Sequence, residues 1–551
     1  MRSIDKRVVF AAVLCLAFSA VAKAQLISTY SYTGTSAGAL WGESVNGAGD
    51  VDGDGYDDFI VGGSEDDTSA ADAGRATVYS GFDGSVIHTF HGAVAASFMG
   101  FSVDGVGDID GDGFDDVIVS DLPPVGTNFG PGRALVYSGQ TGILLATLVG
   151  DSNNDVFGFC VSGAGDVDAD GTPDIIVGAP FDDNNGADSG NVRVISGATF
   201  LTLYSIDGNS GGANLGVTVS GAGDVNADGF DDFIAGAPRD SSTGTSLGGS
   251  VHVYSGFDGS VLYSYFGPQG HSRFGHAVSG AGDVDADGFD DFMFSRPGER
   301  NGAFIIGRVN IYSGQTGAVI TMFQSAVTGS LYGQDVGDCG DVNGDGIPDV
   351  IIAEPGNSFG GTPHVYVHSG LGGPPIETIT LPAGSGNELR ASGAGDLNDD
   401  GFADIVFGRR MAGGNGTVDV MLATTLPVLN YRSKQGFSSL QLEWLPANGN
   451  ISDLNGILFG SGASSNAMGL YGVSLAPAEL SVMGLPLLIA VDVAVNLIQS
   501  GMFAFGGFGG HTTTNISRQH PAIAGSLVHI QWFEISPSIA SSNGIRLKME
   551  P

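Results

Sequence analysis

Seven short stretches of this chain place aspartates at a spacing that suits a hard cation. Each follows the pattern D-x-[DN]-x-D-G-x-x-D, with oxygen-bearing side chains at positions 1, 3, 5 and 9. Alternate acids converge on one point when the backbone turns sharply, and the glycine at position 6 permits that turn. Ca²⁺ accepts such flexible oxygen coordination better than Mg²⁺ does. These residues therefore predict calcium binding.

The candidate ligands come from all seven loops, and position 7 of each loop is included with the four polar positions. They are Asp50, Asp52, Asp54, Tyr56 and Asp58; Asp108, Asp110, Asp112, Phe114 and Asp116; Asp166, Asp168, Asp170, Thr172 and Asp174; Asp224, Asn226, Asp228, Phe230 and Asp232; Asp283, Asp285, Asp287, Phe289 and Asp291; Asp341, Asn343, Asp345, Ile347 and Asp349; Asp396, Asn398, Asp400, Phe402 and Asp404.

The loops begin like EF-hands but do not continue like them. An EF-hand has Glu at position 12 between two helices, whereas position 12 here is a residue such as Val61 inside an apolar run. The aspartate at position 9 is predicted to close the site instead. Loops 4, 6 and 7 have Asn at position 3, so weaker sites are expected there. The alternative, seven solvated acidic turns, does not require five fixed positions.

Composition excludes two classes of function. The chain has 551 residues and a formal net charge of −40, from 60 acidic and 20 basic residues. A nucleic-acid binder needs a basic surface, and a protein that docks on anionic lipid needs basic residues as well. The strong negative charge therefore argues against both classes. The hydrophobic fraction of 42% is sufficient for a folded core.

The acidic loops belong to a repeat with a period of about 58 residues. Their first aspartates are separated by 58, 58, 58, 59, 58 and 55 residues. Each repeat contains four short apolar runs bounded by Gly, Asp, Asn and Pro, which is typical of β-strands. Seven repeats of four strands predict a seven-bladed β-propeller. The other architecture considered is an open solenoid, which would need atypical capping repeats.

The two ends of the repeat array favour a closed ring. The seventh repeat has no fourth strand after residues 416–422, while residues 26–32 resemble a fourth strand without a repeat of their own. Pairing these segments closes the ring and leaves no open edge. We therefore predict an all-β propeller over residues 25–425.

The repeat resembles the FG-GAP repeat of integrin α-subunit N-terminal propellers. The resemblance rests on the upstream Phe157-Gly158 and Phe274-Gly275, on the acidic loop, and on a downstream Gly-Ala-Pro at residues 178–180 and 236–238. Repeats 1, 2 and 7 depart from the last element. The resemblance covers nearly all of residues 25–425 and implies a seven-bladed propeller with Ca²⁺ in the loops joining the first and second strands.

The resemblance also implies extracellular adhesion or ligand binding on the face opposite the calcium loops. Only some integrin blades carry cation loops, whereas all seven repeats carry one here. No leg domain, transmembrane helix or cytoplasmic tail is evident, so we expect a soluble or surface relative of secreted bacterial type. Variable loops on a rigid scaffold often carry recognition. The candidates join the second and third strands: Glu65 to Gly74, Asp121 to Gly132, Phe181 to Gly190, Arg239 to Gly249, Gly298 to Gly307 and Gly356 to Thr362.

The segments outside the repeats are predicted to have separate roles. Residues 1–24 have a basic start, an apolar stretch and an Ala-Lys-Ala cleavage site, as in a secretory signal peptide. Residues 426–551 alternate apolar and polar residues and predict a small β-sandwich-like domain of unknown role. The mature chain keeps only Cys160 and Cys339, which we expect to be buried thiols without a disulfide.

The sequence favours binding over catalysis. Three G-x-S-x-G matches occur, but none opens a helix after a strand, as a nucleophile elbow requires. No H-E-x-x-H zinc motif is present. Arg296, Arg300, Arg409 and Arg410 are interpreted as charge balance, with attraction of an acidic ligand as the alternative.

We therefore predict a secreted calcium-binding propeller with up to seven structural Ca²⁺ ions and an extracellular protein or polysaccharide ligand. Two alternatives stay open: a polysaccharide hydrolase or lyase, and a structural envelope or matrix protein.

Overall fold

The computed structural model describes residues 25–424, except 126–127, 269, 303, 357–360, 383–387 and 411, together with several strands beyond residue 424. The predicted signal peptide, residues 1–24, lies outside the described residues. In the described part of the chain, regular structure consists of β-strands and one 3₁₀ turn, Ala412–Gly414. No described helix is long and apolar enough to cross a membrane.

Residues Gln25–Thr424 form one compact unit of seven four-stranded antiparallel sheets, and six of them are made from consecutive stretches of the chain. The first three blades are Ser44–Gly49, Asp58–Gly63, Arg75–Tyr79 and Val86–His91; Val103–Gly107, Asp116–Asp121, Arg133–Tyr137 and Leu144–Val149; Cys160–Gly165, Asp174–Ala179, Asn191–Ile195 and Thr202–Asp207. The next three are Thr218–Gly223, Asp232–Ala237, Ser250–Tyr254 and Val261–Phe266; Val278–Gly282, Asp291–Arg296, Arg308–Tyr312 and Val319–Gln324; Asp335–Asp338, Asp349–Glu354, His364–Ser369 and Glu377–Thr380.

Blade 7 combines both ends of the propeller. Its strands Leu389–Gly395, Asp404–Arg409 and Thr417–Thr424 are completed by Gln25–Thr33, which pairs antiparallel with the last of them. Tyr32 Oη in this closing strand donates to Gly84 O of blade 1 at 2.9 Å, just as Tyr265 of blade 4 donates to Gly317 O of blade 5 at 2.8 Å. The predicted closure of the ring is therefore confirmed.

The apolar core lies between successive blades. At the junction of blades 7 and 1, Trp41 and Phe59 pack with Val406 and Val420, and all four side chains are at most 1% exposed. The aromatic or apolar residue before each upstream glycine serves this packing. Met99 and Leu215 each form a parallel bridge with a glycine of the preceding blade, so the motif joins blades together.

Alternation of strand direction places the two kinds of loop on opposite faces. All turns between first and second strands lie on one face, which carries the acidic loops. The second-to-third loops lie on the other face. Two of them contain small hairpins, Pro124–Val125 with Asn128–Phe129 and Arg300–Asn301 with Phe304–Ile305.

The C-terminal part contains a six-stranded antiparallel sheet and a two-stranded one. Its strands are Leu429–Tyr431, Leu440–Pro446, Leu454–Gly460, Gly472–Ala476, Glu479–Met483 and Ile545–Lys548, with Thr514–Asn515 pairing His529–Ile530. The small β-sandwich-like domain over residues 426–551 stays a prediction.

The two cysteines of the propeller are free thiols, as predicted. Cys339 is buried, whereas Cys160 is only partly buried because it lies in the innermost strand of its blade. Among the arginines singled out in the sequence, Arg296 pairs with Glu299, Arg409 with Asp419, and Arg410 with Glu43 and Glu388. These pairs support the interpretation of those three residues as charge balance.

Candidate metal centres

Each acidic loop connects the first two strands of its blade, and the aspartate at position 9 is the first residue of the second strand. The glycine at position 6 has a φ near +90° in every loop, from +82° at Gly346 to +91° at Gly171. This conformation is disfavoured for residues with a Cβ atom. The sharp turn required by the sequence pattern is therefore present in all seven loops.

The carboxylates of positions 1, 3 and 5 fold back onto the main chain of their own loop. In loop 1, Asp50 Oδ1 accepts from Asp54 N and Asp50 Oδ2 accepts from Gly55 N, both at 3.0 Å. Asp52 Oδ1 accepts from Asp54 N at 3.2 Å, and Asp54 Oδ1 accepts from Tyr56 N at 3.0 Å. These bonds curl the loop and orient the first two carboxylates towards its interior.

The position-9 aspartate anchors the loop to the blade. Asp58 is fully buried; its Oδ2 accepts from Val51 N at 2.8 Å and its Oδ1 accepts from Gly81 N at 3.0 Å. Gly81 follows the third strand, so one carboxylate ties together three consecutive parts of the blade. The same arrangement recurs at Asp116, Asp174 and Asp291.

Positions 1, 3 and 9 converge in four loops, where one oxygen of each residue lies within 4.8 Å of the other two. The four groups are Asp50, Asp52 and Asp58; Asp108, Asp110 and Asp116; Asp166, Asp168 and Asp174; Asp283, Asp285 and Asp291. The position-5 aspartates are not part of these groups in the described residues. A cation would draw that exposed side chain inward, since hard cations bind clustered carboxylate oxygens.

The three loops with Asn at position 3 contain fewer carboxylates. In loop 4, the buried acceptor Asn226 Oδ1 has no hydrogen-bond partner among the described residues. An unpaired buried acceptor is costly, and an oxygen-seeking cation would satisfy it. In loops 6 and 7, Asn343 and Asn398 instead turn Nδ2 towards the position-9 carboxylate. Those two amides must flip to offer an oxygen, which agrees with weaker binding there.

Family models match three parts of the ring. A model described as FG-GAP repeat matches residues 161–195 and 215–254, and one described as FG-GAP-like repeat matches residues 341–407. These segments fall in blades 3 and 4 and across blades 6 and 7.

The chain carries FG-GAP repeats.

Integrin α chains are among the similar proteins. Integrin alpha-5 of Xenopus laevis is 30% identical over 215 residues, covering 36% of this chain and 20% of the integrin. Integrin alpha-4 of Xenopus laevis is 29% identical over 262 residues, covering 43% and 23%, and integrin alpha-V of Gallus gallus is 31% identical over 215 residues, covering 35% and 20%. The matched region thus spans about a fifth of the length of these relatives.

Burial perturbs the acids of the FG-GAP loops. Desolvation is the main cause that raises the pKa of every position-9 carboxyl, and neighbouring carboxylates add to it: to about 6 for Asp116, Asp174 and Asp291, about 7 for Asp58, Asp232 and Asp349, and about 8 for Asp404. Ionising these groups without a counter-charge is therefore unfavourable. A bound cation supplies that counter-charge.

The raised pKa values predict opposite pH dependences with and without calcium. A carboxyl whose pKa is higher in the folded state loses stabilising effect as pH rises from about 4, where the unfolded chain ionises, through its folded pKa. Calcium-depleted protein is therefore expected to melt at a higher temperature at pH 5 than at pH 8. In excess calcium the order is expected to reverse, because protons compete with the ion. Melting curves at both pH values check this, and parallel pH profiles would contradict it.

The sequence analysis missed the role of position 8 in the FG-GAP loops. Asp57, Asp115, Asp231 and Asp290 occupy this position and are half-buried. Each accepts a hydrogen bond from the loop of the neighbouring blade. The only trace of this role in the sequence is the doubled aspartate at residues 57–58, 115–116, 231–232 and 290–291, which by itself does not identify the partner.

A further acidic group lies on the opposite face of the propeller. Asp151, Asp155 and Asp182 bring one oxygen each within 4.8 Å of one another. Burial, followed by the neighbouring acids, raises the pKa of Asp155 to about 7. Arg193 pairs with Asp151 at 2.9 Å, and Asp182 Oδ1 accepts from Asn184 N at 2.8 Å. Asp151 and Asp182 are therefore already bound by neighbouring groups of the protein.

A central cavity of about 350 Å³ is lined by the first strands of all seven blades. Its acidic lining residues are Glu43, Asp338, Asp104 and Asp335. Glu43 pairs with Arg410, and Asp338 Oδ1 accepts from Gly340 N at 3.2 Å. Asp104 Oδ2 accepts from Gly163 N at 3.1 Å, while Asp335 Oδ2 accepts from Ala391 N at 3.2 Å and Oδ1 lies 3.7 Å from Arg390 Nη1. Both carboxylates therefore bind the scaffold that surrounds them.

Proposed function

We propose that this chain is a secreted calcium-binding propeller that recognises an extracellular protein or polysaccharide. Calcium has a structural role in the proposal, with up to seven ions held by the FG-GAP loops. One observation carries the calcium assignment: positions 1, 3 and 9 converge around buried carboxylates that no basic side chain neutralises in the described loops. The resemblance to integrin α propellers supports the extracellular binding role.

Within each loop, the side chains at positions 1, 3, 5 and 9 and the main-chain carbonyl at position 7 would coordinate the ion. Positions 1 and 3 already face the loop interior, and position 5 is exposed, with one carboxylate oxygen held by the main chain and the other available to the ion. Position 9 offers an oxygen from the buried end of the site. Position 7 follows the glycine turn, where loops of this type contribute a main-chain carbonyl. Bound Ca²⁺ supplies positive charge that relieves repulsion among these acids.

The ligand is proposed to bind on the face opposite the calcium loops. The second-to-third loops there differ in length and sequence, while the blades beneath them are closely packed. Recognition commonly resides in such loops. The polysaccharide hydrolase or lyase alternative would need free acids in a pocket. Asp104 and Asp335 in the central cavity instead bind main-chain amides, which favours binding over catalysis.

Counting bound metal tests the calcium assignment directly. Protein spanning residues 25–551, equilibrated with calcium and passed through a desalting column, is expected to retain at least four Ca²⁺ per chain by elemental analysis. The four loops with three converging carboxylates should account for these ions. Replacing position 1 in those loops, with Asp50→Ala, Asp108→Ala, Asp166→Ala and Asp283→Ala, should remove them. Fewer than one bound ion per chain would contradict the assignment.

Ligand recognition needs a separate experiment. Arrays of extracellular matrix proteins and polysaccharides are probed with the calcium-loaded protein. Replacing residues 239–249 or 181–190 with Gly-Ser linkers of equal length is expected to abolish any binding found. Replacing residues 198–199, which are exposed in the third-to-fourth turn of blade 3 on the calcium face, with Gly-Ser serves as the control and should leave binding unchanged. The reverse result would place recognition on the calcium face.

A further inference from the structure

Neighbouring calcium loops are clasped together by the side chain at position 8. Asp115 of blade 2 accepts a hydrogen bond on Oδ2 from Asp50 N of loop 1 at 2.9 Å, and its own N–H donates to Asp50 O at 3.1 Å. Asp50 is position 1 of loop 1. The same two-bond clasp joins Asp57 to Asp396, Asp231 to Asp166 and Asp290 to Asp224.

The glycine before position 1 makes room for this clasp. A Cβ atom on Gly49 would lie 2.0 Å from Asp115 Oδ2, and one on Gly165 would lie 2.1 Å from Asp231 Oδ2. Gly223 and Gly395 are placed in the same way against Asp290 and Asp57. At each of the four clasps, therefore, a carboxylate oxygen occupies space that any other residue at the glycine would fill.

The clasp is missing at the other three junctions. Pro173 and Pro348 occupy position 8 in blades 3 and 6 and pack against the equivalent glycines, and proline has no N–H to donate. Ala403 in blade 7 keeps only the main-chain bond to Asp341 O, at 3.1 Å. The carboxylate clasps therefore connect loops 7, 1 and 2 in one group and loops 3, 4 and 5 in another, and loop 6 stands apart.

We propose that calcium binding is coupled within each group of three loops and independent between groups, with the position-8 aspartates as the positioning residues. This inference rests on the proposed function, since it requires that the loops bind calcium. Position 8 lies between positions 7 and 9, both in the candidate ligand set. An ion in loop 2 fixes residues 114–116 and so holds the Asp115 carboxylate where it meets Asp50 N. Coupling between two binding sites is reciprocal, so an ion in loop 1 favours one in loop 2 equally.

The negative charge of the position-8 carboxylate also favours coupling between the two calcium loops. Asp115 is half-buried between loops 1 and 2, and its carboxylate is hydrogen-bonded to the main chain of Asp50, the first ligand position of loop 1. A negative group between two cation sites attracts both ions and screens their mutual repulsion. At the proline junction between loops 2 and 3 no such group is present, so the two ions there gain no common stabilisation.

A terbium luminescence titration reports metal binding at a single loop. Tb³⁺ replaces Ca²⁺ and emits when an adjacent tyrosine is excited, and only loop 1 has tyrosine, Tyr56, at position 7. The double variant Tyr56→Phe, Phe114→Tyr moves this reporter to loop 2, and Tyr56→Phe alone gives the background. Loop 2 is the informative position because it has one clasped neighbour, loop 1, and one unclasped neighbour, loop 3.

The two neighbours are then disabled by matched substitutions at exposed position-5 residues. Asp54→Ala in loop 1 is expected to weaken Tb³⁺ binding at loop 2 about fivefold or more, the lower range of usual coupling between sites. Asp170→Ala in loop 3 is expected to change it less than about twofold. Adding Asp115→Asn should remove the effect of Asp54→Ala, which a double-mutant cycle measures. Melting in saturating calcium confirms that all variants are folded.

The possible outcomes separate this inference from the proposed function. Equal effects of Asp54→Ala and Asp170→Ala would show general repulsion between sites and would overturn the coupling through clasps. No effect of either would overturn it as well, while leaving calcium binding in place. Absence of both terbium emission and bound calcium in the unaltered protein would overturn the proposed function.

Discussion

Calcium-depleted protein is expected to unfold about 20 °C below the calcium-loaded form. Each occupied site contributes about 2.7 kcal/mol to stability when free calcium exceeds the dissociation constant a hundredfold. A propeller of this size unfolds with an entropy of about 0.8 kcal/mol/K, from about 2.1 cal/mol/K per residue. Seven sites of that affinity would therefore shift the midpoint by roughly this amount, and scanning calorimetry in calcium and in chelator measures it.

A matched pair of substitutions separates calcium binding from simple loss of charge. Asp52→Ala removes a carboxylate of a converging group, whereas Asp83→Ala removes an exposed one at the third-to-fourth turn of the same blade. Only the first is expected to reduce the calcium-dependent rise in midpoint. If chelation left the melting temperature unchanged, the loops would be acidic turns without a metal.

Deleting the closing strand, Gln25–Thr33, is expected to lower the melting temperature by about 10 °C in the presence of calcium. The deletion exposes blade 7 along Thr417–Thr424 and removes Tyr30 and Tyr32 from the core between blades 7 and 1, together with the buried Leu26. Each apolar side chain of this size contributes about 1.5–3 kcal/mol when fully buried. The unpaired edge is also expected to promote association between chains, which light scattering detects.

A synthetic peptide of residues 25–33 provides the rescue control. It should bind the truncated protein and restore most of the lost stability, whereas a peptide of the same composition in scrambled order should not. An unchanged melting temperature after the deletion would mean that blade 7 is stable with three strands.

Much of this architecture could be predicted because the same residue types recur at the same positions in all seven repeats. The turn glycine, the buried position-9 aspartate and the short apolar runs define each blade locally. The missing fourth strand after residue 424 and the unassigned one at residue 26 identified the closure. Integrin α relatives and FG-GAP matches agree with the sequence resemblance.

Contacts between blades were not accessible from the pattern alone. Position 8 is Asp, Pro or Ala in different repeats, and only the geometry of the ring shows that each of these residues faces a glycine of the preceding blade's loop. The orientation of Asn at position 3 also escaped prediction. Asn226 leaves its oxygen unpaired, while Asn343 and Asn398 donate to their neighbours, because the amide rotates to suit each local environment.

Closure of blade 7 sets a limit on how soon the propeller can finish folding. Gln25 pairs with Thr424, and the first of these residues leaves the ribosome long before the second. At a synthesis rate of about 5–20 residues per second, the interval is about 20–80 s. Contacts between residues so far apart in sequence also slow folding, because the ends of a long loop must meet. The N-terminal strand therefore stays unpaired until Thr417–Thr424 is available, and an unpaired strand of this kind is open to association with other chains.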